Sequence, residues 1–428
     1  MSDASPDLDA EQFFSRVKAW TSAAYQEGIR GFPELLRKLP GVYPSTVLAA
    51  VDRLIAEGQL PKTFGDRLRL DSRTAANERM VSSSLLPPPH PLNFEWRFTF
   101  QTSRELLDCA RRLGSSTLLL GTPGVALEAV SQVVLHPVRF VGEDNIVTRR
   151  ILALNDATGT PISVDFCGDD LPHQVADVVI VDPPWYPDFV RPMLASAMEA
   201  CREGGYVLLS IAPDGARSSA TDDRLKTIAF AKRLGLRLVE ERRLAVEYDT
   251  PLFERNALAA SGLACPLQWR RGDLLVLHKV DASSVRQVRH STVSPWQEVS
   301  VGRMRVFIRR GGPATGTRGL VPLVSGDILP TVSRSDPRRE AAQVWTSGNR
   351  IFATDNVELV VEAAAAYHAE ARGERLQGSL WDSTARRHAV DRVQKRLAEL
   401  AALEASEEIG YSAEKVFGTV PPMRVLNM

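Results

Sequence analysis

Val178-Val179-Ile180-Val181-Asp182-Pro183-Pro184-Trp185 sets a carboxylate, two ring-locked residues and an indole directly after an apolar, mostly β-branched run. Such a run predicts a strand buried on both faces, so Asp182 stands where the chain leaves a sheet. Pro183 and Pro184 lack a backbone N–H and fix the turn. Asp182 and a peptide carbonyl beyond the ladder can accept hydrogen bonds from an amino group, and Trp185 offers a flat face to a planar ring. A proline turn that merely ends a strand is the alternative reading of these residues.

Further runs of the same kind lie on either side. Residues 116–121, 138–142, 161–166, 205–211, 236–248 and 273–279 read as strands, which with 177–181 makes seven. Amphipathic stretches at 188–202 and 219–234 fit helices between them. Short β-branched strands alternating with helices predict an α/β, doubly wound Rossmann-like sheet, whose ligands bind at the carboxyl ends of the strands.

Chemistry-bearing residues recur at those ends. The first strand closes on Gly121-Thr122-Pro123-Gly124 before an Ala/Val helix, a turn that lets a ligand approach backbone and helix N-terminus. Glu143 and Asp144 follow the second strand, where a dinucleotide fold holds ribose hydroxyls. Cys167-Gly168-Asp169-Asp170 follows the third, and Asp182 the fourth. Each feature is weak by itself; together they occupy four successive strand ends in order.

The flanking regions differ in character. Residues 1–72 read as helix, short helix, turn, longer helix and a small β-wing at GQLPKTFGDRLRL, the order of a winged helix-turn-helix. Ser45, Thr46, Ala50 and Arg53 on the third helix are expected to face away from its apolar stripe. Ten acids against nine bases in this segment suit a docking or dimerisation module as well as a DNA reader. Residues 73–96 form a Pro/Ser linker, 97–281 the Rossmann-like domain, and 282–428 an α+β extension with a strand at 300–310 and helices near 356–371 and 381–407. Between 301 and 350 stand nine arginines, no lysine and three acids, among them Arg334, Arg338, Arg339 and Arg350. Arginine without lysine suits bidentate phosphate or carboxylate contacts. The same pattern also fits a solvated loop or an ion-pair seam to the acidic helices downstream.

Composition limits the classes. Lys+Arg and Asp+Glu balance at 52 each in 428 residues, so a polyanion site would have to be local. Four dispersed cysteines without a CxxC pair predict neither a metal site nor a disulfide framework. The acidic start and the absence of any run of 18 apolar residues point to a cytoplasmic protein without membrane partners.

Residues 115–280 resemble a class I S-adenosylmethionine-dependent methyltransferase, and Asp182-Pro183-Pro184-Trp185 matches the DPPW/DPPY motif of enzymes that methylate exocyclic amino groups. The resemblance implies a seven-stranded methyltransferase sheet. It assigns Gly121, Gly124, Glu143 and Asp144 to the cofactor, and Asp169 or Asp170 to its adenine. It has Asp182 and the prolines hold the target amine, with Trp185 stacked on a base. A nucleic-acid partner then follows, with Arg53, Arg334, Arg338, Arg339 and Arg350 as contacts, and a flipped base if the substrate is duplex. The order winged helix, linker, Rossmann domain and DPP motif is also similar to branched-chain polyamine synthases, which use decarboxylated S-adenosylmethionine. There Glu143, Asp144, Asp169, Asp170, Asp182 and Asp188 would gather around a polycation. A methyltransferase-like regulator or assembly protein, dimeric or bound to a protein partner, is the non-enzymatic alternative.

Overall fold

All seven expected strands form, and they share one sheet with an eighth. The computed structural model describes residues 6–74, 85–132, 136–159, 162–166, 173–263, 268–280, 294–334, 336–373 and 384–409. The chain divides into two compact units: Met1–Ala76 with Glu95–Thr250 and Leu263–Thr292, and Asn77–Phe94 with Pro251–Gly262 and Val293–Met428.

The first unit begins with four helices, α1 (Pro6–Gln26), α2 (Phe32–Lys38), α3 (Pro44–Ala56) and α4 (Lys62–Thr74). The β-wing expected at 58–70 is therefore corrected to a helix that begins at Lys62. Phe64 and Leu68, four residues apart, are both buried, and between them stand no β-branched residues, which favours helix over strand. A Cβ at Gly65 would stand 2.6 Å from the Ile55 side chain, so a glycine lets α4 approach α3. Ala50 is also corrected: it is fully buried, whereas Arg53 is exposed and paired with Glu57 at 3.0 Å.

After β1 (Arg97–Phe98) and α5 (Phe100–Leu113) come β2 (Thr117–Leu120), α6 (Pro123–Ser131), β3 (Val138–Gly142), α7 (Ile146–Thr158), β4 (Ile162–Phe166) and β5 (Ala176–Val181). Then follow α8 (Pro187–Ala200), β6 (Cys201–Ile211), α9 (Ala220–Arg233), β7 (Leu236–Asp249) and β8 (Arg271–Lys279). α5 is entered at Thr99, whose hydroxyl accepts from the Thr102 N–H at 3.2 Å. The strand order is β1-β7-β8-β6-β5-β2-β3-β4. The stretch from β4 to β6 is parallel, and β8 runs antiparallel between β6 and β7. This is a mixed, mostly parallel Rossmann-like sheet whose chain reverses direction of travel between β2 and β5.

Burial follows from that position. β2 and β5 are central, and Leu118, Val179, Ile180 and Val181 are at most 1 % exposed. Leu194 and Met198 of α8 close one face. Each such side chain contributes about 1.5–3 kcal/mol on burial, enough to fix the register that aligns the strand ends.

The second unit holds α10 (Leu252–Ala260). It also holds the antiparallel sheet β11-β13-β12-β10-β9, formed by β9 (Trp296–Val301), β10 (Met304–Arg309), β11 (Val321–Pro322), β12 (Val344–Thr346) and β13 (Ile351–Ala353). The single strand expected over 300–310 is a hairpin, turned at Gly302, whose φ is +59°. Helices α11 (Arg338–Ala341), α12 (Val357–Ala371) and α13 (Thr384–Ile409) complete the unit, with Leu359, Val360, Val393 and Leu397 in its core.

Several arginines of this unit are paired within it, as the ion-pair-seam reading expects for Arg350, while Arg334 and Arg338 are exposed. Arg350 is 2 % exposed and pairs with Asp327 at 3.1 Å, Glu404 at 3.4 Å and Glu407 at 2.5 Å. Arg305 is fully buried against Glu298 at 2.5 Å. Arg338 pairs with Asp336 at 2.5 Å, Arg339 stacks over Trp345 at 4.6 Å, and Arg334 lies 5.5 Å from the Phe94 ring. A guanidinium leaves water only where anions or rings replace its hydration, and the acids of α13 do so for Arg350. Among the described residues no helix is long and apolar enough to cross a membrane.

Candidate active site at the switch point of the sheet

Register brings the two decisive turns together. Leu120 of β2 pairs with Val181 of β5 in the parallel ladder, so Gly121 and Asp182 leave the sheet side by side. Gly121 has φ +68°, and a Cβ there would lie 3.7 Å from the Asp182 carbonyl oxygen and 2.8 Å from Met193 Cε. Pro123 takes the first turn of α6, where its missing N–H costs no helical hydrogen bond. Two buried hydroxyls at this turn, Thr122 Oγ1 and Ser103 Oγ, have no hydrogen-bond partner among the described residues, and Ser103 Oγ lies 3.8 Å from where a Gly124 Cβ would stand.

On the other side of β2, Leu120 pairs with Val141, so Glu143 emerges next to the glycine turn. Glu143 is exposed. Asp144 is tied to Arg149 of α7 at 2.7 Å, and that hydrogen bond holds its carboxyl below its ordinary value. Asp169 and Asp170 lie outside the described residues.

Asp182 is half-buried, and residues that sequence reasoning did not single out surround it. The Tyr248 hydroxyl donates to Asp182 Oδ1 at 2.7 Å and shares a 2.5 Å hydrogen bond with Ser210 Oγ. The Trp185 indole N–H donates to the same Ser210 oxygen at 3.3 Å. Loss of water pushes the Asp182 carboxyl up to about 7, against the opposing pull of Tyr248, Ser210 and the Arg270 charge. Burial, and then the Asp182 charge, raise the Tyr248 phenol well above its usual range, so it remains a proton donor.

Trp185 does not present a free stacking face. It is 6 % exposed, the Arg270 guanidinium lies 4.1 Å from its centroid, and Tyr248 meets it edge-on at 5.5 Å. Its backbone oxygen accepts from Arg217, which also pairs with Asp223 at 2.9 Å. A base stacked on Trp185 therefore has little room, and the ring acts as a wall behind Asp182. Trp96 covers Arg270 at 4.4 Å and contacts Trp269 at 5.9 Å.

Gly272 fixes how closely that wall approaches the sheet. An added Cβ would stand 2.7 Å from Trp185 Cζ2, 2.9 Å from Val246 Cγ2 and 3.2 Å from the Ile211 oxygen. Gly272→Ala is expected to lower stability by about 1–3 kcal/mol through overpacking and to shift tryptophan emission. An unchanged melting curve and spectrum would show that the indole is not seated against β8.

No family model matches the chain, and no curated protein matches it. Solved structures do match. A branched-chain polyamine synthase variant from Thermus thermophilus, solved with N4-aminopropylspermidine and 5'-methylthioadenosine, aligns at 14 % identity over 66 % of this chain and 94 % of its own, with a TM-score of 0.49. The unmutated Thermus thermophilus synthase gives 14 % identity over 66 % and 96 %, with a TM-score of 0.46. An S-adenosylmethionine-dependent methyltransferase from Methanosarcina mazei gives 9 % over 41 % and 97 %, with a TM-score of 0.28. At these values the fold rests on the chain's own strand order, and the chemistry on its own residues.

Proposed function

We propose that this protein transfers an alkyl group from an S-adenosylmethionine-type sulfonium to a nitrogen, with Asp182 as the acceptor-side carboxylate. The observation that carries the reading is Asp182 itself. It is a carboxyl lifted to about 7, hydrogen-bonded to Tyr248, and aligned by register with a glycine turn at the switch point. The orphaned hydroxyls Thr122 and Ser103, with Gly121, Gly124 and Glu143, fit a polar ligand on the donor side. When bound, such a donor supplies an electron-poor carbon. Tyr248 fixes one carboxylate oxygen of Asp182, and Asp182 accepts the proton that the acceptor nitrogen sheds near neutral pH.

A small aliphatic amine suits the acceptor side better than a base does, because an ammonium must lose a proton before it can attack. The arginines paired within the second unit give less support to a nucleic-acid base, although the tetrad itself matches that class. Calorimetric titration with S-adenosylmethionine, its decarboxylated form and S-adenosylhomocysteine tests the donor side. Preference for the first and third indicates methyl transfer, preference for the second aminopropyl transfer, and no heat with any of them removes the reading.

The pH profile follows from the shift. Asp182 must be ionised to accept a proton, so turnover is expected to rise through about pH 7 and to lose that limb in Asp182→Asn. A profile flat between pH 6 and 8 would take Asp182 out of the proton path.

A further inference from the structure

Next to Asp182 one cation already occupies an aromatic box. The Arg270 guanidinium carbon lies 4.1 Å from the Trp185 centroid, 4.4 Å from Trp96 and 6.0 Å from Tyr248. Two indoles, a phenol and a nearby carboxylate form a recognition set for a weakly hydrated planar cation. The backbone under Arg270 is pinned, since its carbonyl accepts from the Tyr248 N–H at 3.1 Å, and the neighbouring Arg271 is held by Glu247 at 3.0 Å. The box is also braced from behind. Trp269 is 4 % exposed and packs edge-on against Trp96 at 5.9 Å and Tyr43 at 5.7 Å. Arg270 itself is only partly buried, which leaves its side chain a route to solvent.

We propose that the Trp96–Trp185–Tyr248 box is an acceptor subsite for a guanidinium group, and that Arg270 fills it in the resting protein as a displaceable internal ligand. This rests on the reading of Asp182 as the acceptor-side residue. An incoming guanidinium must then compete with Arg270, so its apparent affinity is reduced by the fraction of molecules in which the box is open.

Methylguanidinium chloride is the probe, titrated against tryptophan fluorescence with potassium chloride at equal ionic strength as the reference. Arg270→Ala is expected to bind it saturably, wild type to bind it about tenfold or more weakly, and Arg270→Ala/Trp96→Ala to lose the response. Should Arg270→Ala fail to fold, Arg270→Lys keeps the stem and charge without the planar fork and is expected to bind more tightly than wild type. Equal affinity in wild type and the Arg270 variant would overturn the proposal, because Arg270 would not be the competitor. So would no binding by wild type at any concentration, or an undiminished response without Trp96. The measurement needs neither donor nor turnover. A box that binds in a protein inert toward sulfonium donors would refute the transfer reading alone, and an active enzyme with an indifferent box would refute only this proposal.

Discussion

Asp182→Ala is expected to lower turnover by about 10²–10⁴-fold, the usual range for removing a general base, while donor affinity stays unchanged. The separation follows from the geometry. Asp182 Oδ1 is engaged by Tyr248 on the acceptor side, whereas the orphaned hydroxyls and Glu143 lie around the glycine turn. Tyr248→Phe should act through Asp182 rather than on the reacting atoms. Its hydrogen bond holds the Asp182 carboxyl down, so its loss should move the pH limb upward from about 7 while turnover at high pH largely survives. Stability gives an independent readout. Because the folded-state value of Asp182 is raised, its favourable contribution is complete below the unfolded value near 4 and is lost as pH rises through about 7. Asp182→Asn should therefore be at least as stable as wild type at pH 8. A full rate in Asp182→Ala, or weakened donor binding as its main defect, would move the carboxylate out of the acceptor role.

The sheet was legible because its strands are short, β-branched and separated by helices; each expected strand lies within four residues of its observed start. Turn chemistry was legible for the same reason: Gly121 and Asp182 sit at ends whose register follows from strand order. The helix α4 was missed because glycine, proline and charge at 58–66 suggested turns, although Phe64 and Leu68 already carried a helical spacing. Tyr248, Ser210 and Arg270 were missed for another reason. They come from β7, β6 and the segment before β8; Ser210 reaches Asp182 through the parallel β5–β6 pairing, while Tyr248 and Arg270 do so through the β7–β8 ladder beyond it. Trp185 shows the limit of motif reading. Its identity matched a stacking role, but burial depends on Gly272 and Arg270, which no local pattern connects to it.

Arg350→Ala is expected to destabilise the second unit by about 3–5 kcal/mol, the scale of breaking a buried ion pair from one side. Arg350 faces Asp327, Glu404 and Glu407 together, so removing it takes a counter-charge from three carboxylates rather than one. Thr346 at 2.5 Å and Ser347 at 2.8 Å would still donate to Glu404, and Arg396 would still lie 3.2 Å from Asp327, which keeps the loss finite. Protonation offers a partial escape. Burial already pushes Glu404 up to about 7 against the pull of Thr346 and Arg350, and without the guanidinium it should rise further. The variant folds with Glu404 protonated at low pH and must ionise it without a guanidinium beside it at high pH. The gap between wild type and variant should accordingly narrow toward pH 5.5 and widen toward pH 8, as read by urea titration with hydrogen exchange of β12 and α13 peptides. A gap independent of pH would mean that the cost lies in lost packing, and a gap near zero would mean that the acids of α13 find water. In that event the arginines would no longer be accounted for as an internal seam, and their role as contacts for a polyanion would return to the foreground.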